Sequence, residues 1–173
     1  MHRDRSRCIK MHPTFLPIAL SPLPRSPMTH TIRPLTQADR PQWDQLWQGY
    51  LTFYESAVPQ EVTDLTWQRI LDPEAPIHAF CAATPEGKLH GIVHYLFHPV
   101  TWAAGPRCYL EDLFTSPEAR GKGVGRALIE AVYAAADARG ADQVYWLTQD
   151  FNATARKLYD QVAKATPFIK YRR

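Results

Sequence analysis

From residue 30 onward the chain carries two hydrophobic rhythms in turn. "HTIRPLT" (30–36) alternates apolar and polar positions and reads as a first strand, with Pro34 suited to a sheet edge. Between Gln37 and Tyr54, the residues Trp43, Leu46, Trp47, Tyr50, Leu51 and Tyr54 recur at three- and four-residue steps, which predicts a one-faced helix. Val58 to Leu71 predicts a second helix, stopped before Pro73. "IHAFCAAT" (77–84) and "KLHGIVHYLFHPV" (88–100) predict two strands joined as a hairpin through Pro85-Glu86-Gly87. "RCYLEDLFT" (107–115) follows as a fourth strand. Residues 121–139 predict the clearest helix, with Val124, Leu128, Ala131, Val132 and Ala135 as its stripe and Gly140 as its stop. A strand "QVYWLTQ" (143–149), an Asn-capped helix "NATARKLYDQVA" (152–163) and a short closing strand "FIKYRR" complete the order. One strand, two helices, three strands, then helix, strand, helix, strand indicates an α/β fold with a mixed sheet and helices on its faces.

Composition changes this picture at the N-terminus. At 173 residues and 45% hydrophobic, the chain suits one domain with a real core, residues 28–173. Residues 1–27 hold five of the fifteen prolines and no periodicity, and are expected to be disordered or to lie upstream of a true start at Met28. The apolar "FLPIAL" is short and sits among prolines, so a secretory signal is not expected. The formal charge of +3 belongs to this tail. It carries five of the 20 basic residues and one of the 17 acids, leaving 15 and 16 from Met28 onward. A neutral body argues against nucleic acid or a membrane as partner. Three cysteines form no close pair, so neither a disulfide framework nor a zinc site is expected, and the cytoplasm is the default location.

"SPEARGKGVGRALIE" (116–130) is the stretch that carries chemistry. Three glycines at alternate positions beside a helix start are costly unless a bare backbone is needed. Strand, turn, glycines and helix form the layout of an anion site, where first-turn amides and the helix dipole face negative charge. Arg120, Lys122 and Arg126 add cations. The spacing G-x-G-x-G excludes the dinucleotide fingerprint G-x-G-x-x-G, and a P-loop would need G-K-[ST].

Arg120-Gly121-Lys122-Gly123-Val124-Gly125, preceded by "DLFTSPEA", resembles the acetyl-CoA pyrophosphate loop of the GNAT superfamily of N-acetyltransferases, [QR]-x-x-G-x-[GA]. The element order is similar to that fold over Thr31–Arg173. "YLEDLF" resembles the polyamine (diamine) branch. "VYWLTQ", "NATARKLYD" and "FIKYRR" resemble the fungal histone, polyamine and D-amino-acid acetyltransferases. The resemblance implies a mostly antiparallel sheet of six to seven strands with about four helices, split at the fourth and fifth strands to take acetyl-CoA. It implies cofactor-binding roles for Leu113, Phe114 and Thr115, whose bulged strand would pair with the pantetheine arm, and for the amides from Arg120 through Val124 to Arg126. Asn152 would bond the same arm, and Tyr159 would point at the thioester sulfur. Where the family often continues Tyr-x-x-x-Gly-Phe, this chain reads "YDQVAKATPF" and lacks the glycine.

Acetyl transfer to an amine needs a base, because a free alkylammonium has a pKa of roughly 10. Adjacent Glu111 and Asp112 lie on opposite faces of a strand, so only one can face a given cleft. The polyamine branch places its base at the position matching Glu111, with Asp112 in reserve; Tyr159 is the candidate general acid. Neither Cys81 nor Cys108 has an activating histidine arrangement, which favours direct attack in a ternary complex over an acetyl-enzyme. His90, His94 and His98 stand four residues apart, roughly 13 Å along a strand, too far to share an ion, and are expected at the surface or along a cleft. Trp43, Trp47, Tyr50 and Tyr54 are expected mainly in the core, with Tyr54-Glu55 and Trp102 available to line the acceptor side. The function expected is acetylation of a primary amine of a small molecule, a polyamine or an amino acid, with no metal. The rivals are a protein-lysine acetyltransferase and an inactive acyl-CoA sensor. A homodimer is expected from the resemblance.

Overall fold

A computed structural model of the chain describes residues 29–173, so the N-terminal extension expected over 1–27 lies outside the described residues. Strand β1 (Thr31–Pro34) leads through a short 3-10 turn, Gln37–Asp39, into α1 (Arg40–Phe53) and α2 (Gln60–Leu71). Strands β2 (Ile77–Ala83), β3 (Leu89–His98) and β4 (Arg107–Thr115) follow. Then come α3 (Val124–Ala138), β5 (Gln143–Tyr145) and α4 (Ala153–Val162). The strands form one sheet in chain order, with β1 to β4 antiparallel and β5 parallel to β4 through the α3 crossover.

Alternation along β3 separates two cores. Ile92 faces the layer of α1 and α2 with Trp43, Leu46, Trp47 and Trp67. Val93 and Tyr95 face α3 and α4 with Val124, Leu128, Ile129 and Val132. Gly91 lets α3 come close: a Cβ there would stand 2.9 Å from the Val124 side chain and from the Phe114 carbonyl oxygen. At the entry to α1, the Asp39 carboxylate accepts from Arg33 at 2.7 and 2.8 Å and from the Thr36 amide and hydroxyl. These bonds hold its carboxyl well below the usual range, with the Arg33 bond the largest cause.

Three sequence expectations are corrected. Helix α3 starts at Val124 rather than 121, because Gly121 and Gly123 take positive φ values of 73° and 82°, outside the right-handed helix. Strand β5 spans three residues rather than seven, because its partner β4 diverges after Tyr109. The closing strand is not formed among the described residues, so the sheet has five strands rather than six or seven. After α4, Ala163 turns extended (φ −150°, ψ 178°), and Phe168, Ile169 and Tyr171 stand 74–88% exposed without joining the sheet.

Candidate active site

The sheet opens where β4 and β5 part. Pairing covers Arg107 to Tyr109 against Gln143 to Tyr145, and the six remaining residues of β4, Leu110 to Thr115, have no strand neighbour on that side among the described residues. Into the gap opens a cleft of about 260 Å³. Glu111 and Leu113 line it from β4, Trp146 to Gln149 from beyond β5, Tyr159 from α4, Tyr50 and Tyr54 from the end of α1, and Lys170 from the C-terminal segment.

At one end of the gap lies the glycine stretch. Gly121 and Gly123 make the left-handed turn, and a Cβ built on either would meet nothing within 4 Å. Gly123 is the N-cap of α3, with neither a side-chain cap nor an acidic residue in the first turn. The first amides thus face outward in an uncompensated positive field, a cradle suited to a pyrophosphate. Gly125 serves packing instead: a Cβ there would stand 3.3 Å from Leu158 of α4 and 3.7 Å from Thr115. The flanking cations are dispersed. Arg120 donates to the Thr115 carbonyl and lies over the Phe114 ring, Lys122 donates to the Glu118 carbonyl, and Arg126 donates to Gln161. Phe114 and Val124 bury their side chains in the two cores, so a role in binding would fall to their backbone alone. Asn152 caps α4 through Oδ1, accepting from the Ala155 amide at 3.3 Å, while Nδ2 donates to Thr148 at 3.4 Å.

Deeper in the gap stand the two carboxylates. The β3–β4 register runs His94↔Asp112 and then Tyr95↔Leu110, which leaves Glu111 as the extra, bulged residue. The bulge therefore sits at the candidate base itself, rather than at the strand end near Leu113 and Thr115 where the sequence reading put it. It turns Glu111 into the cleft as the one exposed residue of β4. Crowding at its carboxyl, followed by the charge of Asp112, raises its pKa above the ordinary value, while water still reaches it. Asp112 is held from behind: His94 Nδ1 lies 3.0 Å from its Oδ2, and the Tyr50 hydroxyl faces it. Tyr159 packs edge-on against Trp146, and burial pushes its hydroxyl up to about 12. It keeps its proton at neutral pH.

Other candidates separate from this centre. His90 and His94 are buried at 4% and 1% exposure, against the expectation of surface or cleft positions. Even positions of β3 share the face of Ile92, which brings His94 under Trp43 and Trp47 of α1. His90 meets His30 at 2.8 Å, and half-buried His98 meets the Tyr145 hydroxyl at 3.0 Å. Among the described residues no three histidine, cysteine or acidic groups gather as a metal site. Tyr54 lines the cleft as expected, whereas Glu55 does not and Trp102 is 85% exposed in a loop away from the lining. Burial raises both Cys81 and Cys108 to about 11, which leaves little thiolate for covalent chemistry. Sequence reasoning missed Lys170 and Trp146, and it assigned Tyr50 to the core. For Tyr50 the signal existed, since it lies one turn before Tyr54 on the same helix face.

Residues 43–163 match the Acetyltransferase (GNAT) family. The chain belongs to that family. Its relatives include a D-amino-acid N-acetyltransferase of Saccharomyces cerevisiae, 37% identical over 143 residues, which cover 82% of this chain and 89% of that one. A thialysine N-epsilon-acetyltransferase of Bos taurus is 38% identical over 65 residues, 38% of each chain. Solved GNAT-like structures share the fold at low identity. An aminoglycoside N-acetyltransferase in complex with CoA aligns at TM-score 0.69 and 21% identity, over 87% of this chain and 98% of that one. A ribosomal-protein-alanine N-acetyltransferase from Brucella melitensis biovar Abortus 2308 aligns at TM-score 0.67 and 22% identity, over 83% and 97%. The branch suggested by "YLEDLF" and "NATARKLYD" is therefore the one its named relatives occupy, and this GNAT protein is an N-acetyltransferase.

Proposed function

We propose that this GNAT protein is an acetyl-CoA-dependent enzyme that acetylates the primary amine of a small molecule by direct attack in a ternary complex. We further propose that its acceptor carries a carboxylate, as an amino acid does. One observation carries the second half: Glu111 and Lys170, opposite charges, line the same aromatic-walled cleft at the opening of the sheet. A zwitterion satisfies both, whereas a polyamine brings a second cation toward Lys170. The D-amino-acid N-acetyltransferase named among the relatives points the same way.

The outward amides of Gly121 to Arg126 and the free edge of Leu113 to Thr115 fit the pyrophosphate and the amide-bearing arm of CoA. When bound there, acetyl-CoA supplies the activated acetyl thioester. Glu111 takes the proton from the incoming ammonium, directly or through a water at its exposed face, and its raised pKa brings it nearer the amine. Tyr50, Tyr54 and Tyr109 wall the cation in. Tyr159, protonated below about 12, holds the proton that a departing thiolate needs. We read the enzyme as cytoplasmic and as a homodimer, the latter supported by the apolar Phe168, Ile169 and Tyr171 left open to solvent.

The test is thiol release from acetyl-CoA by the full chain on a panel of L- and D-amino acids, diamines, spermidine and histone peptides. Turnover on amino acids is expected, and Lys170→Glu should raise KM for them by about tenfold while lowering it for diamines. Turnover on peptides alone, or an unchanged preference in Lys170→Glu, contradicts this reading.

A further inference from the structure

Behind the two carboxylates runs a buried chain that the proposed chemistry does not use. Trp43, fully buried in α1, donates its indole N–H to His94 Nε2 at 3.0 Å, and His94 Nδ1 lies 3.0 Å from Asp112 Oδ2. An indole nitrogen can only donate, so His94 Nε2 must offer a lone pair. The ring proton then resides on Nδ1 and points at Asp112. A doubly protonated imidazole would set one N–H against another inside the core, an arrangement that buried polar groups avoid. Trp43 thus fixes which ring nitrogen of His94 faces Asp112 as a donor.

We infer that Trp43 and His94 are positioning residues that hold Asp112 as a fixed second anion behind Glu111, and that His94 takes no part in proton transfer. The reading rests on Glu111 as the base. The bulge gives the arrangement its geometry: His94 pairs directly with Asp112 across β3 and β4, and the extra residue, Glu111, is turned the other way into the cleft. Tyr50 faces Asp112 from α1, and Tyr54 and Tyr109 face it as well. Glu111 is faced by Asp112, His94, Tyr109 and Lys170. With Asp112 clamped, its charge cannot swing away, so Glu111 keeps a like-charged neighbour and holds its proton to higher pH than a free glutamate.

Two measurements on the full chain test this. Nitrogen-15 NMR of the neutral His94 ring should show the proton on Nδ1 and the lone pair on Nε2, and Trp43→Phe should release it to a mixture of tautomers. In kinetics with the amine as variable substrate, His94→Leu should lower kcat/KM about tenfold and move its acidic limb to lower pH, leaving the acetyl-CoA KM unchanged. His94→Asn keeps a donor where Nδ1 stood and should restore the limb. A role in packing alone would depress the rate without moving the limb. An Nε2–H tautomer in the wild type, or a limb unmoved in His94→Leu, overturns the inference. Full activity in Glu111→Gln would instead remove the base reading and leave the NMR result standing.

Discussion

The two ends of the cleft are made of different material. The end we propose for the donor is backbone: a left-handed turn at Gly121 and Gly123, the amides that open α3, and the edge of β4 that is unpaired among the described residues. The end we propose for the acceptor is side chain: Tyr50 and Tyr54 from α1, Tyr109 and Glu111 from β4, Trp146 beyond β5, Tyr159 from α4 and Lys170 from the C-terminal segment. A site of backbone is written in one short contiguous stretch, because the main chain is the same everywhere and only its conformation must be specified. A site of side chains is assembled from elements more than a hundred residues apart, and each can change without disturbing the others. Such a protein can keep its donor and change its acceptor.

The largest effect should separate chemistry from both ends. Glu111→Gln is expected to lower kcat/KM for the amine by about 10²- to 10⁴-fold, with acetyl-CoA affinity by calorimetry unchanged. Because the folded-state pKa of Glu111 is raised, its ionised form costs stability above that pKa and the cost is relieved as pH falls. The glutamine variant should therefore melt no lower than wild type at neutral pH. A lower Tm would show that the carboxylate supports the fold rather than the reaction. Tyr159→Phe should cost about 10²-fold in kcat measured by single turnover, with both substrates still binding; an unchanged chemical step would reassign the tyrosine to packing against Trp146.

Gly123→Val addresses the donor end alone. Its Cβ meets nothing, so the fold should survive, but a φ of 82° strains any β-branched residue and tilts the amides. CoA affinity is expected to fall about tenfold while kcat at saturation holds; equal affinity would dissociate the glycines from the anion site. The smallest effect on either end belongs to Asp39→Asn. It removes the carboxylate that Arg33 and Thr36 share, at a cost of about 2 kcal/mol in unfolding free energy, with no change in either KM. The sign in pH follows from the lowered pKa of Asp39: its stabilisation is present above the unfolded pKa and is lost as pH falls from there through the lower folded pKa. The stability gap between wild type and Asp39→Asn should accordingly close in acid.

Legibility followed the same division. The fourth strand, 107–115, was placed to the residue, because Gly105-Pro106 marks the turn before it and Ser116-Pro117 the turn after it. The site of the bulge was not, since which residue of β4 is left over depends on the register against β3 and not on either strand alone. The helix start was misplaced by three residues because an apolar stripe says where a helix faces, and the left-handed glycines say where it begins. His94 was expected at a surface or along a cleft because its four-residue spacing from His90 and His98 ruled out a shared ion. Its parity with Ile92 was the better guide, and only the packing of α1 supplied the indole that makes its burial tolerable. Lys170 offered no signal, because its place depends on how eleven residues after α4 drape across the cleft.

The unpaired edge of β4 has a consequence outside catalysis. Six residues of main chain open on one side are what a sheet offers to any passing strand, including one from another unfolded copy. A ligand that lies along that edge closes it, and in doing so stabilises the fold by mass action. With acetyl-CoA lying there as we propose, the folded population would rise with its concentration, which a melting-temperature titration would read.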